Sequence, residues 1–476
     1  MTTERSTRTT AAERRSRTIS VAVALALCAL FGALALRLVR LQVTHADRWR
    51  SLAVRQQQPL RSVPAYRGDI RTADGAVLAR SVRARSAFCE PRHMGRRIGG
   101  KRRPPTLEDL RERARQIATA LRWPPEREHA LFERLRNPAR AAFCWIARRL
   151  DERAALRLER ARIPGVGFKN EYRREYPSGR LAAQLIGFTR LDAHGEIHGA
   201  TGVERAYDRL LAGVAGLRET VRDGRGDALL HEGHLISPPE DGATVVLTID
   251  SYIQGVTEEA IARCAERWEP EGIAALVLRP ADGRVLAMAS WPGFDPADLR
   301  GLTPEQSRNR TIMDTFEPGS IMKPLVAAAA LEAGAVHRHQ MFSCPSPWRY
   351  RGRTIRDVHA LGRLDLAGVL VHSSNVGMAQ VGLALGPAGM IDLLRRAGFG
   401  RRTGVGLPLE EPGRITPPER WSYYSTTSVA MGYELAVTPL QIASAFAALA
   451  ADGVRYRPQI VERVTDADGR TVQRFE

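Results

Sequence analysis

In Glu317-Pro318-Gly319-Ser320-Ile321-Met322-Lys323-Pro324 a Pro-Gly turn delivers a serine to the start of a helix. Residues 325–335 continue that helix, with Leu and Val set among alanines suited to burial. Pro324 falls in the first turn, where its missing N–H would lack a partner anyway. Ser320 and Lys323 are three residues apart, so they share a helix face and the amine can reach the hydroxyl. Serine is a weak nucleophile unless a base stands beside it. Lysine is such a base only where burial or neighbouring cations lower its pKa. The chain has only three lysines, Lys101, Lys169 and Lys323, among 71 Lys and Arg residues. Arginine stays protonated, so a lysine kept at this position points to chemistry. A bare Ser-x-x-Lys is also common by chance, and the bland reading is a polar helix start.

Some fifty residues downstream comes Ser373-Ser374-Asn375-Val376-Gly377, after the amphipathic stretch 364–371. Ser-x-Asn can set a hydroxyl and an amide on one side of a site; its competing reading is a helix cap. Farther on, Met431-Gly432-Tyr433-Glu434 leads into Val437-Thr438-Pro439-Leu440-Gln441. There Thr438 caps a helix, Pro439 takes the first position and Gln441 closes a capping box.

Upstream, residues 243–249 read as an apolar strand and 251–268 as a helix with Ile253, Val256, Ala260, Ile261 and Cys264 on one face. Residues 273–278 and 285–290 form a hairpin turned at Asp282-Gly283. Helix plus hairpin predicts an α/β or α+β domain with an antiparallel sheet. Residues 223–241, with Asp223-Gly224-Arg225-Gly226 and Pro238-Pro239, read as a boundary. Before it, Arg67-Gly68-Asp69-Ile70 and the Asp74-Gly75 turn read as two strands. The Arg-Gly-Asp triplet itself is taken as coincidence. Residues 92–105 read as a solvated basic loop, and 107–162 as helical with many Glu and Arg pairs.

The N-terminus sets the compartment. Residues 1–17 carry Arg5, Arg8, Arg14, Arg15 and Arg17, and residues 18–36 are uncharged and apolar. That run is long enough to cross a bilayer, and the basic flank keeps the N-terminus in the cytoplasm. A cleaved signal peptide is the alternative, with Ala33-Leu34-Ala35 as its cleavage motif. The expected layout is a cytoplasmic tail at 1–17, an anchor at 18–40, one domain at 58–235 and a second at 241–476, the body extracytoplasmic.

The 476 residues suffice for two or three domains. The net charge of +19 is mostly arginine spread along the chain. A basic surface attracts nucleic acid, anionic lipid or an acidic polymer, but no nucleic-acid-binding motif accompanies it. Cys28, Cys89, Cys144, Cys264 and Cys344 form no CxxC pair, so no zinc site is indicated. Buried free thiols are the plain reading; in an oxidising compartment some could pair, with a connectivity the spacing does not reveal. The histidines at 194–198, 231–234 and 337–339 lack metalloprotease spacing and read as surface residues. No cofactor loop is present.

Ser-x-x-Lys followed by Ser-x-Asn is the order found in penicillin-binding proteins and β-lactamases. Asn309-Arg310 with Asp314-Thr315-Phe316-Glu317-Pro318-Gly319-Ser320, and the 431–441 strings, resemble division-type class B penicillin-binding proteins. Arg67-Gly68-Asp69-Ile70, Tyr176-Pro177-Ser178-Gly179 and Leu185-Ile186-Gly187 resemble that family's N-terminal pedestal. The resemblance implies a transmembrane helix, a β-rich pedestal (dimerisation-type) domain and a transpeptidase α/β domain of the serine β-lactamase type. It implies a D,D-transpeptidase of septal peptidoglycan synthesis. Ser320 would attack the D-Ala-D-Ala carbonyl of a stem peptide, Lys323 would be its base, and Ser373 and Asn375 would relay protons and hold the peptide. Implied partners are stem peptides, β-lactams, the inner membrane, a polytopic glycan polymerase and other division proteins.

The family's third motif, Lys-Thr-Gly, does not occur after Asn375, and no lysine follows Lys323. Arg402-Thr403-Gly404 lies in a string that resembles a different, non-catalytic family loop. The expectation is a chain lacking its C-terminal strands, inactive or weakly active in this form. A non-catalytic scaffold or sensor of the division machinery is the alternative; a carboxypeptidase or β-lactamase is a third, opposed by the large pedestal and the anchor.

Overall fold

The structure is a computed structural model. It describes Val21, Val23, Leu25 and residues 27–40, 60–95, 97–98, 101–192, 195–219 and 235–475. The tail at 1–17, His194, His231, His234 and the Asp223-Gly224-Arg225-Gly226 turn lie outside the described residues. Two compact units divide the chain after Val63, before Ala215 and after Pro239.

The first unit contains the helix Leu27–Val39, whose apolar side chains are all exposed, Phe31 and Leu36 most of all. It also contains a three-stranded antiparallel sheet of Leu60–Val63, Gly216–Glu219 and Leu235–Ser237. Among the described residues, the helix long and apolar enough to span a bilayer is Asn375–Arg396. That helix packs within the second unit's core and kinks at Gly386, just ahead of Pro387, so length and apolarity serve packing there.

The second unit is organised by the thirteen-residue strand Val77–Cys89. Val166–Glu175 pairs antiparallel along almost its whole length, and Cys144–Leu150 pairs with its far half. At the near end Ile70–Arg71 pairs antiparallel after the Asp74-Gly75 turn, then parallel with Thr244–Leu247. Thr244–Leu247 pairs in turn with Val461–Thr465, and that strand with Thr471–Arg474. One seven-stranded sheet therefore joins residue 70 to residue 474. The helices Leu107–Leu121, Pro125–Leu135 and Glu152–Arg160 close a core against its far end through Leu110, Ile117, Leu131 and Leu158. The helical reading of 107–162 holds for these three helices and is corrected between them. Cys144–Leu150 is a strand, because Cys144 and Ile146 alternate inward against Val77–Cys89.

Arg67 of the Arg-Gly-Asp triplet is buried and structural. Its Nε and one terminal nitrogen donate to Glu204 at 2.9 and 2.7 Å, and its other terminal nitrogen to Asp208 at 2.7 Å. Arg174 Nε donates to the second Glu204 oxygen at 2.6 Å. Glu204 is fully buried. A buried pair can be a poor net stabiliser, but removing one partner strands the other charge. Glu204→Ala is expected to cost about 3–5 kcal/mol, read as a lowered urea midpoint. Glu259→Ala, which removes the exposed 2.6 Å pair with Arg263, is expected to leave that midpoint unchanged. Equal effects of the two would sink this account.

Ser251–Trp268 packs on the hairpin of Ile273–Leu278 and Val285–Trp291, as expected, but of the expected face only Ile261 is buried. Val256 and Cys264 are exposed; Gln254, Ile261 and Ala265 are buried. Gln254 explains the rotation. Its amide accepts from Met288 N at 2.7 Å and donates to Met288 O at 2.9 Å, as a strand partner would. Glu258, one turn on, accepts from Ala182 N at 2.6 Å. Burial pushes its carboxyl pKa up, against the hydrogen bonds from Gln254 and Ala182. Polar side chains that complete backbone hydrogen bonding thus outrank an apolar stripe.

Candidate active site

Gly319–Met322 is a tight 3-10 turn that passes into the helix Lys323–Glu332. Gly319 takes φ +56°, a left-handed conformation that glycine adopts without strain. Met322, Leu325, Val326, Ala329 and Ala330 bury the helix, while Ser320 and Ile321 stay exposed at its mouth. The turn is held from outside by the 431–438 segment. Phe316 and Val437 exchange backbone hydrogen bonds, both 3.0 Å. Gly319 N donates to Gly432 O at 3.0 Å, and Glu434 N to Glu317 Oε1 at 3.1 Å. The two sequence strings, over a hundred residues apart, are one structural object. The second continues into Pro439–Ala450, where Thr438 and Gln441 form both halves of the capping box.

Lys323 is 2% exposed. Its Nζ donates to Ser373 O at 2.5 Å, Ser373 Oγ at 3.1 Å and Asn375 Oδ1 at 2.9 Å. Burial lowers its pKa from 10.5 to about 8, and the negative charge of Asp357 opposes that shift. The structure thus brings Lys323, Ser373 and Asn375 into direct contact. Ser320 stands in the 3-10 turn that leads into the Lys323 helix, exposed and without a hydrogen-bond partner among the described residues. Such bonds often tighten only once substrate is bound.

Asn375 opens the helix Asn375–Arg396, and Ser374 caps it by accepting from Gly377 N at 2.9 Å. Ser373 just before has φ +51°, a rare conformation for a residue with a side chain. Asp357, which belongs to no motif in the sequence, sits behind all of this. It accepts from Ser374 Oγ at 2.6 Å, Asn375 N at 2.5 Å and Val376 N at 3.1 Å. A carboxylate at a helix N-terminus meets the unpaired N–H groups and the positive end of the dipole. Arg356 O accepts from Asn375 Nδ2 at 3.0 Å and so orients the amide with its oxygen toward Lys323. Nothing local in Thr354-Ile355-Arg356-Asp357 marks these roles, because the partners arrive from a distant helix.

Arg402-Thr403-Gly404 folds as a closed loop around buried Glu410. Thr403 N and Oγ1 both donate to Glu410 Oε1 at 2.5 Å, and Arg402 Nε to Glu410 O at 2.9 Å. It is neither a strand nor part of the lysine cluster. Asp192, Glu196 and His198, all exposed, are the one group of three potential metal ligands found together among the described residues.

Two known protein families match this architecture, one after the other along the chain. Residues 62–247 match the penicillin-binding protein dimerisation domain, and residues 273–475 the penicillin-binding protein transpeptidase domain. The chain is 33% identical to the peptidoglycan D,D-transpeptidase FtsI of Escherichia coli over 448 residues, covering 93% of this chain and 71% of that protein. It is 33% identical to the probable peptidoglycan D,D-transpeptidase PbpC of Pseudomonas aeruginosa over 423 residues, covering 88% and 70%. Penicillin-binding protein 3 of Mycobacterium tuberculosis, solved in complex with aztreonam, superposes with a TM-score of 0.63 at 26% identity, covering 87% of this chain and 71% of that one. With a dimerisation and a transpeptidase domain in that order and relatives of this closeness, the chain belongs to the penicillin-binding proteins.

Proposed function

We propose that this protein is a peptidoglycan D,D-transpeptidase acting through an acyl-serine. The observation that carries the reading is the buried Lys323 amine, lowered to about 8 and held by Ser373 and Asn375 beside the Ser320 turn. Neutral Lys323 takes the proton from Ser320 Oγ as the oxygen attacks the penultimate D-Ala carbonyl of a stem peptide. The Ser320 N–H donates to the carbonyl oxygen as charge develops on it. Ser373 Oγ, in contact with Lys323 Nζ, passes the proton on to the departing D-Ala amine. Asn375 holds the substrate amide. The amine of a second stem peptide then attacks the ester, forming the cross-link and freeing Ser320. A β-lactam, whose amide is part of a ring, acylates Ser320 and keeps its leaving group attached.

The layout that goes with this reading is an anchor at 18–40, a pedestal at 58–235 and a transpeptidase domain at 241–476 outside the cytoplasmic membrane. The exposed apolar side chains of Leu27–Val39 support the anchor. Partners are then stem peptides, β-lactams, the inner membrane and a glycan polymerase of the division machinery.

The test is to treat native membranes with a fluorescent penicillin and map the adduct. Trypsin releases Ser320 in the peptide 311–338, because Lys323 precedes proline. A penicilloyl mass on Ser320 is the expected result. An adduct elsewhere, or no adduct with the protein present, would overturn the reading and favour a scaffold of the division machinery.

A further inference from the structure

Cys89 ends the long central strand and Cys144 begins its neighbour, and the two are register partners across that antiparallel pair. Both side chains enter the same apolar core beneath Leu107–Leu121 and Pro125–Leu135, at 0% and 2% exposure. They therefore point to the same face of the sheet. Directly opposed residues of an antiparallel pair have Cα atoms about 4.5 or 5.5 Å apart. Both separations fall within the Cα range of about 4.4–6.8 Å that a disulfide spans. Cys89 Sγ lies 3.4 Å from Cys144 O, so its sulfur reaches across the strand pair onto its register partner. No other cysteine offers such a match: Cys264 is exposed on Ser251–Trp268, and Cys344 is paired in register with Gly362.

We propose that Cys89 and Cys144 form a structural disulfide in the mature protein, tying off the helical lobe at residues 90–143. Oxidation depends on the extracytoplasmic placement proposed above, since thiols stay reduced in the cytosol. The oxidant is an exogenous disulfide, either a protein thiol oxidant or oxidised glutathione. One thiolate attacks it, forming a mixed disulfide and releasing the first thiol. The second thiolate attacks the mixed disulfide, forming the Cys89–Cys144 bond and releasing the other thiol. Two protein thiols are oxidised and one external disulfide is reduced. The thiolate is the reactive form. Both groups are buried once the lobe has packed, so the exchange belongs to folding, and the finished bond is shielded from reductants.

Full-length protein extracted from membranes without reductant is denatured and alkylated with a maleimide. Three of the five cysteines should label, rising to five after reduction. Tryptic peptides 86–92 and 141–148 should appear as one cross-linked species, two hydrogens lighter than their sum. Cys89→Ala should label four with or without reductant, and Cys264→Ala should shift from two to four. Wild type denatured, reduced and refolded under reductant should melt about 5 °C below the oxidised protein, and Cys89→Ala should melt at the same temperature after either treatment. Refolding the denatured chain in a glutathione redox buffer separates this pairing from the question of compartment. A cross-link formed there, with five free thiols in cells, would remove the placement and keep the pairing. No cross-link in the refolded, native-like protein overturns the pairing itself.

Discussion

Lys323→Met is expected to lower the acylation rate by β-lactams about a thousandfold, within the 10²–10⁴ range for loss of a positioned general base. Wild-type acylation should rise with pH and level off above about 8, because only the unprotonated amine can take the Ser320 proton. Lys323→Arg should be as inactive as the methionine variant, since a guanidinium keeps its proton. Stopped-flow acylation by a chromogenic cephalosporin across pH 6–10 reads all three. A methionine variant within tenfold of wild type, or a pH profile flat through 8, would sink the base assignment.

The same amine has a stability signature that separates lost catalysis from lost fold. In the unfolded chain Lys323 titrates near 10.5, and in the folded chain near 8. Below pH 8 both states hold the proton, and the folded state keeps a buried charge at a cost on the order of 3 kcal/mol. Between 8 and 10.5 the unfolded state binds more protons, so stability rises with pH through that window. Methionine in the same pocket carries no such cost but leaves the acceptors on Ser373 and Asn375 unpaired. Its urea midpoint relative to wild type should therefore be most favourable near pH 7, and that advantage should shrink by pH 10. Other titrating groups cancel in the difference.

What could be read in advance was local. The serine turn, the helix behind it and the Thr438–Gln441 capping box all follow from residues within one or two turns of each other, and all are present. So is the hairpin turned at Asp282-Gly283. What escaped depends on residues far apart. The pairing of Ile70–Arg71 with Thr244–Leu247 and of Thr244–Leu247 with Val461–Thr465 leaves no periodicity to find. The strand Cys144–Leu150 carries arginines that mask its alternation. Gln254 looks like a surface residue until Met288 supplies its backbone partner. Within the site, Ser320, Lys323, Ser373 and Asn375 came from motif order, whereas Asp357 was invisible because its partners lie a helix away. The role of Gly432 was hidden for the same reason, since a resembling string does not say what it touches.

Gly432 sits at φ +83°, and a Cβ built there would lie 2.0 Å from Gly319 O and 2.5 Å from Gly319 N. Both atoms are backbone, next to Ser320, and cannot swing aside. Gly432→Ala therefore forces the two segments apart and breaks the 3.0 Å bond from Gly319 N to Gly432 O. Left-handed strain in alanine costs about 1–2 kcal/mol, and the displaced contact and lost hydrogen bond add to it. A total destabilisation of about 3 kcal/mol or more is expected. A shift of the Ser320 turn by about 1 Å is enough to cost about a hundredfold in acylation per folded molecule. Gly453→Ala is the control, because its φ of +86° carries the same strain while nothing lies within 4 Å of the added carbon. It should lose stability alone and acylate normally, measured well below either variant's Tm. If the two variants proved equal in both readouts, Gly432 would be one more left-handed glycine and the 431–438 segment would not seat the serine. If only Gly432→Ala loses acylation, then the position of Ser320 is set by this backbone contact as well as by its own helix.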